Sequence, residues 1–176
     1  MPAGVLTTFG WFYGQYLFNW LGVPHTLPYL FPTATWEDPR AVIGDGALFW
    51  STAAAHIAVA TLVVPIVEEL FWRSFLLRAL IDWNAFEKIP LGTFSLRAMV
   101  FTALLSAVQH PGNWLVSIFC WLAWNGLMYW RKSLACLMIT HGVTNLVLYA
   151  WVLFSALYLD DHDAWMHLSL VPGPAK

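Results

Sequence analysis

Apolar residues in this chain fall into long runs separated by short polar stretches. A helix that crosses about 30 Å of hydrocarbon needs about 20 residues, and runs of that order lie near 3–22, 46–81, 94–110, 113–130 and 134–158. The pattern predicts an all-α, polytopic transmembrane helical bundle of about five spans. The second run is too long for one straight crossing. Pro65 removes a backbone donor in its middle, so a kinked or tilted helix whose end leaves the membrane is expected. Residues 25–45, rich in proline and acid, read as an external loop with a short interfacial turn. The organisation expected is an N-terminal span and loop over 1–45, a core over 46–158 and a tail over 159–176.

Composition strengthens this picture. Of 176 residues, 60% are hydrophobic and only 10% charged, too few polar groups to disperse a soluble domain of ordinary composition. Twelve tryptophans suit the boundary between headgroups and hydrocarbon. A net charge of −2 without a basic run offers nucleic acid nothing to hold. Cys120 and Cys136 show no metal or disulfide spacing and read as small core residues. The first 22 residues lack a basic leader and an A-x-A cleavage site, so a retained span is expected rather than a signal peptide. Arg78, Lys88, Arg97, Arg131 and Lys132 fall on one side of the predicted bundle. Arg40 and Lys176 stand on the other among Glu37, Asp38, Asp45, Asp160, Asp161 and Asp163. The basic side is expected to be cytoplasmic, which places the N-terminus inside and the C-terminus outside.

Against this apolar background Glu68, Glu69 and Arg73 stand out. Each acid at a helix centre costs roughly 2.5 to 3.5 kcal/mol on insertion scales, and intramembrane ionisable groups are functional by default. Glu69 and Arg73 are four apart and share a helix face, so they are expected to pair and support the site. Glu68 points about 100° away from its neighbour, free to face a cavity and take a proton from water. Counted from the basic rim, Glu68, His110, His141 and Asn145 lie at one level, roughly 13 to 20 Å deep at about 1.5 Å per residue. His141 and Asn145 share a face across Gly142 and could stabilise an oxyanion together. His110 ends its helix before Pro111, where its ring could share the water with Glu68.

At these residues the chain resembles the CAAX-processing and bacteriocin-processing intramembrane proteases, the CPBP or Abi family, and especially its bacterial CAAX prenyl protease-related members. The motif E-E-x-x-x-R is matched by Glu68, Glu69 and Arg73, and H-x-x-x-N/D by His141 and Asn145. The motif F-x-x-x-H is matched at His110, with Ser106 where phenylalanine is usual. The likeness covers roughly residues 59–149. It implies a membrane-embedded endopeptidase, in a bacterial inner membrane, that hydrolyses a peptide bond with a glutamate-activated water. By that carry-over Glu68 is the base, His110 helps hold the water, His141 and Asn145 cradle the oxyanion, and Glu69 and Arg73 support the site. The partners implied are the bilayer and a membrane-associated peptide or protein.

Three other readings compete. No cofactor is expected, but Glu68, His110 and His141 could instead bind zinc with a position left open for water. The same fold could also act as a non-catalytic scaffold that holds a peptide. A transporter is the poorest reading, because neither inverted repeats nor paired broken helices are visible.

Among the remaining polar positions, Asn125, Gln15, Asn19 and Thr102 read as interhelical glue, and Gly10 and Gly14 as a packing seam. His56 is expected to be too far from Glu68 to join its site. His25, His162 and His167 carry no usable spacing. Trp121, Trp124, Tyr129 and Trp130 read as lipid-facing anchors.

Overall fold

A computed structural model of the chain describes residues 2–23 and 38–159. Among the described residues the fold is all helical, with no strand. The elements are α1 (Pro2–Trp20), the short α2 (Pro39–Ile43), α3 (Ala47–Ala79), α4 (Leu96–Gln109), α5 (Trp114–Arg131) and α6 (Leu134–Tyr158). Each of the five longer helices begins and ends within a few residues of an apolar run. Two of them, α3 and α6, are long and apolar enough to cross a membrane. The predicted 25–45 loop falls mostly outside the described residues, as do His25, His162 and His167. Its last part forms α2, whose start is capped by the Asp38 side chain at 2.8 Å from the Arg40 amide.

Local chemistry sets the helix limits. The Ser95 hydroxyl accepts from the Ala98 amide to open α4, and Ser133 does the same for Cys136 to open α6. At the other end of α4, His110 leaves helical geometry before Pro111, with φ −120° and ψ 62°. Lys132 ends α5 in the left-handed region, its N–H on the Met128 carbonyl. Arg78 donates to the carbonyls of Ser74 and Ile89, and Arg97 donates to that of Leu80. The basic rim thus also ties down the turn after α3.

The interior of α3 departs from a regular helix. Segments Val59–Val63 and Leu70–Leu76 are π-helical and flank the α-helical turn Val64–Glu69 that carries both glutamates. Pro65 sits at the start of that turn, directly after the first π segment. The ladder changes from i−4 to i−5 just before the proline, whose missing donor then falls opposite the Ala60 carbonyl.

Packing places α4 along α5, α1 along α6 and α5, and the middle of α3 along α6. The seam between α1 and α6 uses Gly4 and Thr8 rather than Gly10 and Gly14. A Cβ on Gly4 would lie 2.6 Å from the Thr140 carbonyl, and Thr8 and Thr144 exchange hydroxyl bonds with backbone across the joint. Gly10 has open space around it, while Gly14 meets only the Val116 side chain. Asn125 does serve as glue, donating to Thr102 Oγ1 at 2.8 Å and to the Met99 carbonyl. Gln15 and Asn19 also bond to each other within α1. The core gathers Trp72, Leu77, Trp121, Trp124, Met128 and Leu137.

Candidate active site

Glu69 is the hub of a buried cluster. Its Oε1 accepts from Arg73 Nη1 at 3.2 Å, one turn on, and lies 2.9 Å from Nδ1 of His141 on α6. Glu69 and Arg73 are both 0% exposed. The predicted i,i+4 pair is thus present, with the addition of His141. Because an ionised carboxylate can only accept, Nδ1 of His141 carries the proton, and Nε2 is the nitrogen left for other work.

The rest of the Arg73 guanidinium rests on indole faces, 5.0 Å from the Trp121 ring centroid and 5.5 Å from that of Trp124. Trp124 also packs on His141, with centroids 4.5 Å apart. Expectation is corrected here, because Trp121 and Trp124 are 1% and 3% exposed and cage a cation instead of facing lipid. A guanidinium sealed in a helical bundle needs polarisable neighbours, and two indoles three residues apart on α5 supply them. Tyr129 is half-buried and donates to the Ser95 carbonyl. Of the four aromatics, only Trp130 is exposed.

Glu68 points elsewhere, as its neighbouring position requires. Its Oε1 accepts from Gln109 Nε2 at 2.6 Å, and the Gln109 Oε1 accepts in turn from the Trp72 indole at 2.9 Å. The second oxygen, Oε2, is buried and has no hydrogen-bond partner among the described residues. His110 follows Gln109 at the end of α4, and His141 meets Glu69, the neighbour of Glu68. The structure therefore gathers residues of the first and third motifs directly, through Glu69 and His141. Gln109, which sequence reading passed over, joins Glu68 to the end of α4. Its only signal in the chain is its place just before His110.

Asn145 lies one turn beyond His141, and its Nδ2 donates to the Ala60 carbonyl at 2.7 Å. That acceptor exists because of the break in α3. The Val64 N–H goes to the Val59 carbonyl, and Pro65 has no N–H, so both regular donors to Ala60 are lost. One hydrogen of the Asn145 amide fills the gap, and the other remains for a second acceptor. Gly142 makes this approach possible: a Cβ there would lie 2.8 Å from the Thr61 carbonyl and 3.8 Å from Pro65 Cγ. Gly142→Ala should therefore push α6 away from α3. We expect a loss of about 1–3 kcal/mol in a denaturant titration in detergent, with turnover falling further than stability alone accounts for.

His110 closes α4 beside the Trp11 and Trp121 rings, at 5.7 and 5.1 Å between centroids, and its Nδ1 sits 3.4 Å from the Ser106 carbonyl. Ser106, the departure in the second motif, is fully buried. Its hydroxyl lies 3.2 Å from that of Ser117, so a polar contact between α4 and α5 occupies the place expected for a ring. His56 stacks edge-on against Tyr149 at 5.2 Å. Glu68, His110 and His141 form no ready cluster for a metal: among the described residues no three His, Cys, Asp or Glu groups are placed to hold one.

The family described as "Type II CAAX prenyl endopeptidase Rce1-like" matches residues 50–147, a span that holds every motif residue from Glu68 to Asn145. The chain belongs to this family. Membership makes it a peptidase of the CAAX-protease type, and the length and apolar composition of α3 and α6 agree with the membrane setting of that type. No curated protein and no solved structure matches the chain. Within the Rce1-like span the Glu69–Arg73–His141 cluster and the Glu68–Gln109–Trp72 chain come from α3, α4 and α6. Helix α1 lies outside the span.

Proposed function

We propose that the chain is an intramembrane endopeptidase in which Glu68 activates a water for attack on a peptide carbonyl. The observation that carries this reading is the state of Glu68, with one oxygen tethered by Gln109 and the other buried and unbonded among the described residues. In the proposed cycle Glu68 Oε2 takes a proton from water as the hydroxide adds to the scissile carbonyl. Asn145 donates its remaining amide hydrogen to the oxyanion. His141 donates through Nε2 when its ring carries a proton on each nitrogen. Glu69 and Arg73 hold His141 in place. His110 helps position the water, and the proton held by Glu68 passes to the leaving amine as the tetrahedral intermediate collapses.

Around this chemistry we place a core over 46–158, five spans and a polar cavity open to the cytoplasm, in a bacterial inner membrane with the N-terminus inside. The substrate class is a membrane-associated peptide or protein, and a prenylated C-terminal peptide is the first to try. Comparing peptide termini in membranes of cells that carry the wild-type chain or Glu68→Gln tests the proposal directly. Identical termini in the two would remove hydrolysis from consideration. We propose that no metal takes part: turnover by purified protein should survive prolonged dialysis against a strong chelator. Loss of turnover that added zinc restores would favour the metalloprotease reading.

A further inference from the structure

Gln109 is not named by any of the three motifs, yet it makes the only side-chain hydrogen bond to Glu68 among the described residues. Its own orientation is fixed from behind. An indole N–H can only donate, so the Trp72 bond at 2.9 Å requires the amide oxygen of Gln109 to face Trp72. The amide NH2 must then face Glu68, where Nε2 lies 2.6 Å from Oε1. Trp72 is itself anchored, 6% exposed and edge-on against Trp121 at 5.6 Å.

We propose that Gln109 is the positioning residue for Glu68, and that Trp72 sets the direction in which it works. The chain Trp72–Gln109–Glu68 holds Oε1 and thereby aims Oε2, the oxygen without a partner. It also crosses from α3 to α4 at the residue before His110. One joint thus relates the first and second motifs. The π-helical segment Leu70–Leu76 carries Trp72, so the irregular ladder of α3 supplies the far end of the relay. The positioning role in turnover rests on the proposed hydrolytic reading, whereas the hydrogen-bond chain can be tested without it.

The first test is spectroscopic and uses the full chain in detergent. The infrared carboxyl band of Glu68 is isolated as the difference between wild type and Glu68→Gln, then followed in Gln109→Leu, Trp72→Phe and the double variant. Loss of the amide donor should shift that band in Gln109→Leu. Trp72→Phe should shift it in the same direction, and the double variant should add nothing, because both changes cut one chain. An unmoved band in folded Gln109→Leu overturns the proposal. So does a shift in the double variant equal to the sum of the single shifts. Gln109 is on the exposed side of α4, so its variant decides the matter should Trp72→Phe fail to fold.

The second test is kinetic, with a farnesylated peptide ending in a C-A-A-X sequence. Gln109→Leu should lower kcat about 10- to 100-fold through misplacement of the base, with KM changed by less than about twofold. A rise in KM at constant kcat would make Gln109 a substrate contact and overturn the positioning role. Equal turnover by wild type and Glu68→Gln would overturn hydrolysis by Glu68, and the infrared result would still decide the hydrogen-bond chain.

Discussion

Glu68→Gln should abolish most turnover, by about 10²- to 10⁴-fold, the usual contribution of a positioned general base. The substitution is nearly isosteric. Its amide oxygen can still accept from Gln109, so the contact at 2.6 Å and the packing of α3 on α4 should persist. What changes is the other end of the side chain, where an NH2 replaces the buried oxygen that has no partner among the described residues. An amide nitrogen cannot take a proton from water. The expected signature is therefore a collapse of kcat at unchanged fold, with thermal unfolding in detergent shifted by less than the equivalent of about 1 kcal/mol. Turnover within tenfold of wild type would show that Glu68 is not the base.

Glu69→Ala should act in the opposite way, with its largest effect on stability. The carboxylate is 0% exposed and its Oε1 meets both Arg73 and His141. Removing it leaves a guanidinium charge buried without its counter-ion, a change that costs about 3–5 kcal/mol. The two indoles around Arg73 soften that loss only in part, because a desolvated cation–π contact contributes about 2 kcal/mol. Replacing both partners, as Glu69→Ala with Arg73→Met, should recover much of the stability, since no isolated charge remains. It should not recover turnover, because His141 still lacks the acceptor that orients its ring. A denaturant titration of the two single variants and the double variant measures the coupling. Additive losses would show that the pair is not a unit.

These two expectations separate neighbours that a helical wheel already distinguishes. The i,i+4 spacing of Glu69 and Arg73 made their pairing legible, and the offset of Glu68 made its separate environment legible. The helix limits were readable as well, because run length and Pro111 act locally. The resemblance to the family rested on motif order, which survives without coordinates. What the chain concealed depends on contacts between helices. Nothing in the letters around Gln109 says that an indole from α3 will fix its amide. The choice of Gly4 and Thr8 over Gly10 and Gly14 is a matter of which stripe α6 happens to meet.

The tryptophans were misplaced for a related reason. An indole in an apolar helix serves lipid boundary and protein interior equally well, so Trp121 and Trp124 carry no local mark of burial. The missing inference was available from Arg73. A cation sealed inside a membrane bundle demands company, and aromatic faces are the apolar groups that can provide it. The two π segments left only a faint trace. Pro65 announces a lost donor, but not whether the ladder bends or changes its repeat.

That change of repeat makes chain length in α3 a structural variable in its own right. Between Val59 and Val64 the ladder spans i to i−5, one residue more than an α-turn covers. Excising a single amino acid there would restore ordinary winding. It would also swing the preceding half of the rod, His56 included, by about 100° relative to the glutamates. With Thr61, Leu62 or Val63 gone, Pro65 would stand four residues after Ala60, so that carbonyl would still lack a main-chain donor, while the rotation would take it away from Asn145. Spelling in this stretch is thus freer than counting: many apolar letters fit the five positions, but four of them do not make the same machine.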